Sequence, residues 1–297
     1  MKPMNSDESP TVPQLAGTRV RLRPIEQSDL EFLYQVSMIP QNAFRWRTRG
    51  TILDRQDFLA SLKTGVLVQF VVEKKVSALP VGLITAYNAN QRDGFVYISG
   101  ISEPSLIGTG LVIEGLLLLV TYLFDVWPFR KIYIESIEFN ATQFRNVLGQ
   151  YLTEEARLKE HTYHGDRYWD TLTFAIYRQD WHAFMLAHES RGESSSSEID
   201  PESDGSTSTA ESDDLLTLDE FCVLIATEIP PPVGKSSPVA EHRLQEDLGY
   251  DSFSLLELTA IIESLAGSPD LEWPDRFETM RDLYLWYTTA ASAPRAS

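Results

Sequence analysis

The sequence predicts a mixed α/β sheet domain followed by a small all-α four-helix domain, the two joined by a disordered acidic linker. Three observations predict this. Strand-like and helix-like segments alternate through the first 180 or so residues. Helical periodicity alone remains after residue 215. Charge divides the 297-residue chain, whose net charge is −18. Residues 1–187 carry 19 Lys and Arg against 20 Asp and Glu; residues 188–214 carry 1 against 9; residues 215–297 carry 5 against 14. A length near 300 residues suits two domains.

The elements follow in order. Residues 1–16 are polar, without an apolar signal core, and are expected to be disordered. The first domain spans 17–187. Arg19 to Arg23 alternates as a short strand. Glu26 to Asp29 opens a helix through Val36, with Ser28 or Asp29 as its N-cap. Gln56 to Lys63 is a second helix. Val66 to Lys74 and Pro80 to Asn88 pair as strands, and Gly94 to Ile101 is another. A long apolar helix runs from Thr109 to Val126; its apolar run from Gly115 to Phe124 is too short to span a bilayer. Lys131 to Glu138 is a strand and Ala141 to Leu148 a helix. Arg157 to His164 and Tyr168 to Tyr177 flank a hairpin turn at His164-Gly165-Asp166-Arg167.

Residues 188–214 hold nine serines, nine acids and one large aliphatic residue, Ile199. Such a segment buries too little apolar surface to offset its ordering entropy. As a random coil it would span roughly 30 Å, keeping the domains at high mutual concentration. The second domain covers 215–290, with a disordered tail at 291–297. Its helices are predicted at Thr217 to Ile229, at Asp251 to Leu265 and at Phe277 to Tyr287.

The net negative charge excludes a nucleic-acid partner, which needs a basic face. No membrane partner is expected either. The single cysteine, Cys222, rules out an internal disulfide and fits a cytoplasmic location. No metal-ligand spacing or Gly-x-Ser-x-Gly elbow is found. Arg45, Arg47 and Arg49, around Trp46, form the densest basic cluster. They read as a solvated face, or more sharply as a dock for the acidic domain or for coenzyme A phosphates.

Two motifs carry chemistry. In Leu248-Gly249-Tyr250-Asp251-Ser252-Phe253, a serine follows a capping aspartate at the opening of an apolar helix. A phosphodiester on Ser252 would lie beside the positive end of the helix dipole. With Leu244-Gln245-Glu246-Asp247-Leu248-Gly249 before it and Phe277 to Leu283 after it, the segment resembles an acyl or peptidyl carrier protein over residues 215–290. Phe253 stands where that family usually has leucine. The resemblance implies a 4'-phosphopantetheine arm on Ser252 and a phosphopantetheinyl transferase as partner.

The second motif is Gly108-Thr109-Gly110, at the entry to the long helix. Glycines there free the backbone to approach a pyrophosphate. Together with Arg19 to Pro24, Lys131 to Glu135, Phe139-Asn140, Glu160-His161 and Asp180-Trp181, it makes residues 17–182 resemble the GNAT acetyltransferases, in the branch acting on protein N-termini and aminoglycosides. The resemblance implies a GNAT-like sheet. It places the coenzyme A pyrophosphate on Gly108, Thr109 and Gly110, the pantetheine arm between the strands 94–101 and 131–138, and Asn140 against that arm. Three positions depart from the family: Ser105 for Gln or Arg, Gln143 for Ser or Ala, and Val147 for the tyrosine that protonates the leaving thiolate. Tyr151 is the alternative acid, against a core role for the same side chain.

The reading is an acyltransferase moving an acyl group between a thioester (acyl-CoA, or the Ser252 arm) and an amine or thiol in assembly-line biosynthesis. A thioester decarboxylase or loading enzyme, and a non-catalytic pantetheine-binding module that presents the carrier to a partner synthase, stand as alternatives.

Overall fold

The computed structural model describes residues 15–43, 46–47, 50–107, 109–141, 151–194, 215–232, 234–250, 252–266 and 277–292. The first domain is built on a seven-stranded mixed sheet in the order β1-β2-β3-β4-β5-β7-β6. Its strands are β1 (Val20–Arg23), β2 (Val66–Lys74), β3 (Pro80–Asn90), β4 (Phe95–Ser102), β5 (Lys131–Ile137), β6 (Leu152–His164) and β7 (Arg167–Tyr177). Every pairing is antiparallel except β4 with β5, which is parallel and spanned by the helix α4 (Leu111–Val126).

Period-two alternation divides the strand residues between two cores. On one face Val72, Ile84, Val96, Ile98 and Ile132 pack with Leu119, Leu123 and Phe124 of α4. On the other, Val71, Leu83 and Ile101 pack under α1 (Leu30–Met38) and α3 (Arg55–Ser61), through Leu33, Val36 and Phe58. The short helix α2 (Pro40–Ala43) lies between these, and it was not expected from the sequence. Asp29 is the N-cap residue of α1, as expected, yet its side chain turns back to accept from the Glu26 N–H at 2.7 Å and from Arg23.

The β6–β7 hairpin turns at Gly165 and Asp166, with φ of 57° and 65°. Two successive left-handed residues match the right-handed twist of the flanking strands. The strand β6 begins at Leu152, five residues before its expected start, because Thr153, Glu154 and Ala156 pair with β7 while their side chains stay exposed. The helix α5 (Arg178–Ser194) follows β7 directly and corrects the boundary drawn at 188: the first seven residues of the expected linker are helical. Docking of Trp181 in the core supplies the costly helical nucleus, and propagation past it is cheap. Residues 195–214, the rest of the expected linker, lie outside the described residues, as does the predicted helix after residue 141.

The second domain has its own core. Helices α6 (Leu218–Glu228), α7 (Ser252–Ala266) and α8 (Met280–Ala291) bury Phe221, Ile225, Leu258, Ile262, Leu283 and Tyr287 together. Thr217 caps α6 with Glu220, and Thr279 caps α8 with Asp282, each as a reciprocal capping box. Three helices of the expected four are present among the described residues; residues 267–276, between α7 and α8, are outside them. No helix of the described residues is long and apolar enough to cross a membrane.

Candidate active site between two diverging strands

The parallel pair β4/β5 is hydrogen-bonded in register from Phe95 with Lys131 to Ile98 with Ile134, and there it stops. Past that point each strand is held by its outer neighbour instead. β3 keeps β4 as far as Ser102, opposite Gly82, and β7 keeps β5 as far as Ile137, opposite Thr171. The facing edges of Ser99–Ser102 and Glu135–Ile137 therefore carry no ladder bonds to one another. Backbone donors and acceptors of this kind need partners, and an extended ligand between the strands would provide them.

Local sequence sets this divergence. A Cβ placed on Gly82 would lie 2.2 Å from the Ile101 carbonyl oxygen and 2.9 Å from Val112, so glycine lets β3 close on the end of β4. The buried Asn42 donates from Nδ2 to the carbonyls of Val36 (3.0 Å) and Ser102 (2.8 Å), which ties the tip of β4 to the C-terminal part of α1. On the other face Gly100 admits the side chains of Val112 and Leu116 of α4.

A cavity of about 250 Å³ fills the gap. β4 contributes Ser99 to Ser102, β5 contributes Glu135 to Ile137, and the first turns of α4 contribute Gly110, Val112 and Leu116. Asn42, Trp46, Arg47 and Tyr87 close it on the α1 side. Glu135 is the sole carboxylate and Arg47 the sole full cation in the lining among the described residues. The Ser99 Oγ is buried and has no hydrogen-bond partner among the described residues.

At the entry to α4, Gly110 is the N-cap with φ of 80°, a conformation that favours glycine. Thr109 is buried, and its hydroxyl donates to the Leu106 carbonyl at 2.7 Å. The turn is anchored from β1: Arg19 donates to the Thr109 carbonyl (3.1 Å) and pairs with the buried Glu114 at 3.2 Å. Glu114 also accepts from the Arg19 N–H at 2.9 Å. Gly108 lies outside the described residues. Ser105 is exposed on a short 3-10 turn, where its N–H and hydroxyl both donate to Glu103.

Of the other expected site residues, Asn140 lines the cavity just past β5. Tyr151 does not. It is 3% exposed and packed in the core, edge-on to the Trp181 ring at 5.3 Å and tilted against that of Phe184 at 4.3 Å between centroids. Gln143 and Val147 lie outside the described residues. Ser252 is the first residue of α7, and Asp251 before it is outside the described residues. The approach to Ser252 is firmly held: Leu248 and Tyr250 are buried, the Tyr250 hydroxyl donates to the Ile229 carbonyl at 2.7 Å, and Gly249 has φ of 69°.

Glu135 was missed in the sequence, where it reads as one more position of an alternating strand; the available signal was a charge following Ile132-Tyr133-Ile134 in a central strand. Arg47 reads there as part of a solvated face or of a dock for the acidic domain or coenzyme A phosphates; its guanidinium is half-buried and lines the cavity. Burial pushes its pKa down, and the Tyr87 ring, 4.9 Å beneath it, opposes that. Arg45 and Arg49 lie outside the described residues. Burial, and then the Glu135 charge, also pushes the Tyr97 phenol upward.

The chain matches no protein-family model and no curated protein. Several solved structures are similar to its first domain. A spermidine N-acetyltransferase from Vibrio cholerae, in complex with CoA and spermine, is 21% identical over 56% of this chain and 99% of its own, with a TM-score of 0.49. A GCN5-related N-acetyltransferase from Brucella melitensis is 21% identical over 61% of this chain and 86% of its own, with a TM-score of 0.46. A GNAT-family acetyltransferase from Bacillus anthracis is 18% identical over 54% of this chain and 96% of its own, with a TM-score of 0.45. At these identities and scores, the cavity residues themselves carry the functional argument.

Proposed function

We propose that the first domain is an acyltransferase acting on a pantetheine thioester, and that the second is a carrier whose Ser252 bears a 4'-phosphopantetheine arm. The observation that carries the first half is the cavity between β4 and β5, opened where their mutual ladder ends. An amide-rich pantetheine arm is an extended chain with donors and acceptors at its own intervals. It can replace the missing strand contacts. The turn at Thr109-Gly110, at the positive end of α4, suits the pyrophosphate of coenzyme A.

The reaction follows from the lining. A neutral amine acceptor enters from the α1 side. Its nitrogen attacks the thioester carbonyl beside Ile101, and the Glu135 carboxylate takes the N–H proton that becomes acidic as the bond forms. A C–N bond forms, and backbone N–H groups at the end of β4 stabilise the oxyanion. The C–S bond then breaks, and the proton held by Glu135 returns to the departing thiolate. This route uses no tyrosine acid and accommodates Val147. Asn140 orients the arm. Holding both reactants in one cavity supplies much of the rate.

The carrier half rests on the placement of Ser252 at the first position of an apolar helix, after a pinned approach. A phosphopantetheinyl transferase would install the arm, and an assembly-line synthase would then take or deliver the acyl group. Incubation of the phosphopantetheinylated chain with acetyl-CoA and a panel of primary amines tests the whole reading. Thiol release that depends on an amine, or an acetyl mass on the Ser252 arm, supports it. No thiol release and no acyl mass with any donor or amine contradicts acyl transfer.

A further inference from the structure

Arg47 is out of place for a structural arginine. The other buried or half-buried cations of the first domain have their charge or donors answered. Arg19 pairs with Glu114, Arg23 with Asp29 and Glu73, and Lys131 with Glu155. Arg178 donates from all three nitrogens to the carbonyls of Phe129, Phe124 and Trp127. Arg47 donates to the Thr64 carbonyl at 2.5 Å and reaches the Ser61 carbonyl at 3.5 Å, both neutral. No carboxylate pairs with it among the described residues, although the chain has 43 acidic residues against 25 basic ones. Among the described residues, nothing accepts from its Nε or from the second N–H of each terminal nitrogen.

That guanidinium lines the cavity beside Trp46 and Tyr87. Its Cζ lies 4.9 Å from the centre of the Tyr87 ring, a cation–π contact that helps hold the guanidinium at the cavity wall and lowers the ordering penalty of binding. Taking a cation out of water without an anion is unfavourable, and a bound anion relieves it. The planar fork matches a carboxylate in two parallel hydrogen bonds. About 250 Å³ is small for a ligand site, so the anion is carried on a small group.

We infer that the α1 side of this cavity receives a ligand bearing a carboxylate, with Arg47 as the cation that selects it. The inference rests on the reading of the cavity as a thioester site. The carboxylate has two possible sources: the free end of a dicarboxylic acyl group, or an amino-acid acceptor whose amine faces Glu135. In either case the site disfavours polycationic amines, because its charges are one acid and one base.

Two matched pairs of probes test this, with binding followed by calorimetry on the full chain. Succinyl-CoA against butyryl-CoA exchanges a carboxylate for a methyl on the acyl chain. Leucine against 3-methylbutylamine, at saturating CoA, removes a carboxylate from the acceptor. In the wild type, the carboxylate member of one pair binds on the order of tenfold tighter or more, the size of one charge-assisted contact. The first pair assigns the acyl group and the second the acceptor. Arg47→Gln brings that ratio close to one, and Arg47→Lys keeps an intermediate preference. Equal binding within both pairs in the wild type overturns the inference, whether or not the glutamine variant folds. A ratio unchanged in Arg47→Gln overturns it too. CoA alone, titrated in parallel, separates the two layers. If CoA binds while both ratios are one, only the carboxylate inference falls; if CoA does not bind, the thioester reading falls.

Discussion

Ile98 of β4 and Ile134 of β5 are the last directly paired residues of the parallel ladder, and one position later Ser99 and Glu135 line the walls of a cavity. The cleft thus opens at the end of the ladder, and Ile98 and Ile134 themselves belong to its lining. Glu135 stands just past the last ladder pair, where the proposed route has an attacking amine lose its proton. Replacement by glutamine keeps the shape and removes the base. Glu135→Gln is expected to lower kcat/KM with an amine acceptor by about 10²–10⁴, the usual contribution of a positioned base. CoA affinity, measured alongside, should change little. Retention of more than a tenth of wild-type kcat/KM would show that the base lies elsewhere.

Tyr151 separates two assignments of the proton that reaches the leaving thiolate. Its ring lies in the aromatic cluster with Trp181 and Phe184, not on the cavity wall. Tyr151→Phe should therefore turn over within a small factor of wild type, while Tyr151→Ala should lose about 3–5 kcal/mol of stability through the void it leaves. A loss of 10² or more in kcat for the phenylalanine variant, with unchanged melting, would make Tyr151 the acid after all.

Much of this architecture is legible in the sequence, for a physical reason. Buried central strands such as Val66–Lys74 and Lys131–Ile137 are selected for alternation and β-branched content, so pattern alone finds them. The four-residue helix Pro40–Ala43 is too short to show a period. The start of β6 is hidden because an edge strand with exposed side chains has no alternation to read. The site is less legible than the fold. Gly110 and Asn140 have local signals in a turn and a strand end. Arg47 and Glu135 become neighbours of one cavity only through the register of β4 and β5 and the placement of Asn42, Trp46 and Arg47 along its α1 side.

A buried charge cluster makes stability depend on pH in a predictable direction. A hydrogen bond from Arg23 holds Asp29 below the usual carboxylate range. Glu73 is also held low: burial opposes this, but hydrogen bonds from Arg23 and Arg21 outweigh it. Both carboxyls bind protons less readily when folded. Their contribution is present above the unfolded values near 4 and is lost as pH falls through the folded ones. Arg23→Met leaves the buried Asp29, about 4% exposed, without its cation and leaves Glu73 with Arg21 alone, at an expected loss of about 3–5 kcal/mol near neutral pH. Urea denaturation should show this deficit narrowing below about pH 4. A deficit that stays constant down to pH 3 would contradict the assignment.

Ser252 offers a mass readout. With a phosphopantetheinyl transferase and coenzyme A, the wild-type chain is expected to gain one phosphopantetheine and Ser252→Ala none. Equal modification of the two, or none of the wild type, removes the carrier assignment. It leaves the cleft of the first domain untouched.

The central claim is that the gap between β4 and β5 holds a pantetheine chain, and occupancy of that gap is directly measurable. Gly100 lines it, and a side chain there would project toward Val112, Ile84 and Leu116 with no atom closer than 3.2 Å to the added Cβ. Titration of coenzyme A into the full chain and into Gly100→Leu, with melting temperatures taken on both, is the decisive comparison. The account predicts saturable binding to the wild type that is lost in a folded Gly100→Leu. Equal binding by the two, or no binding by the wild type, would contradict it.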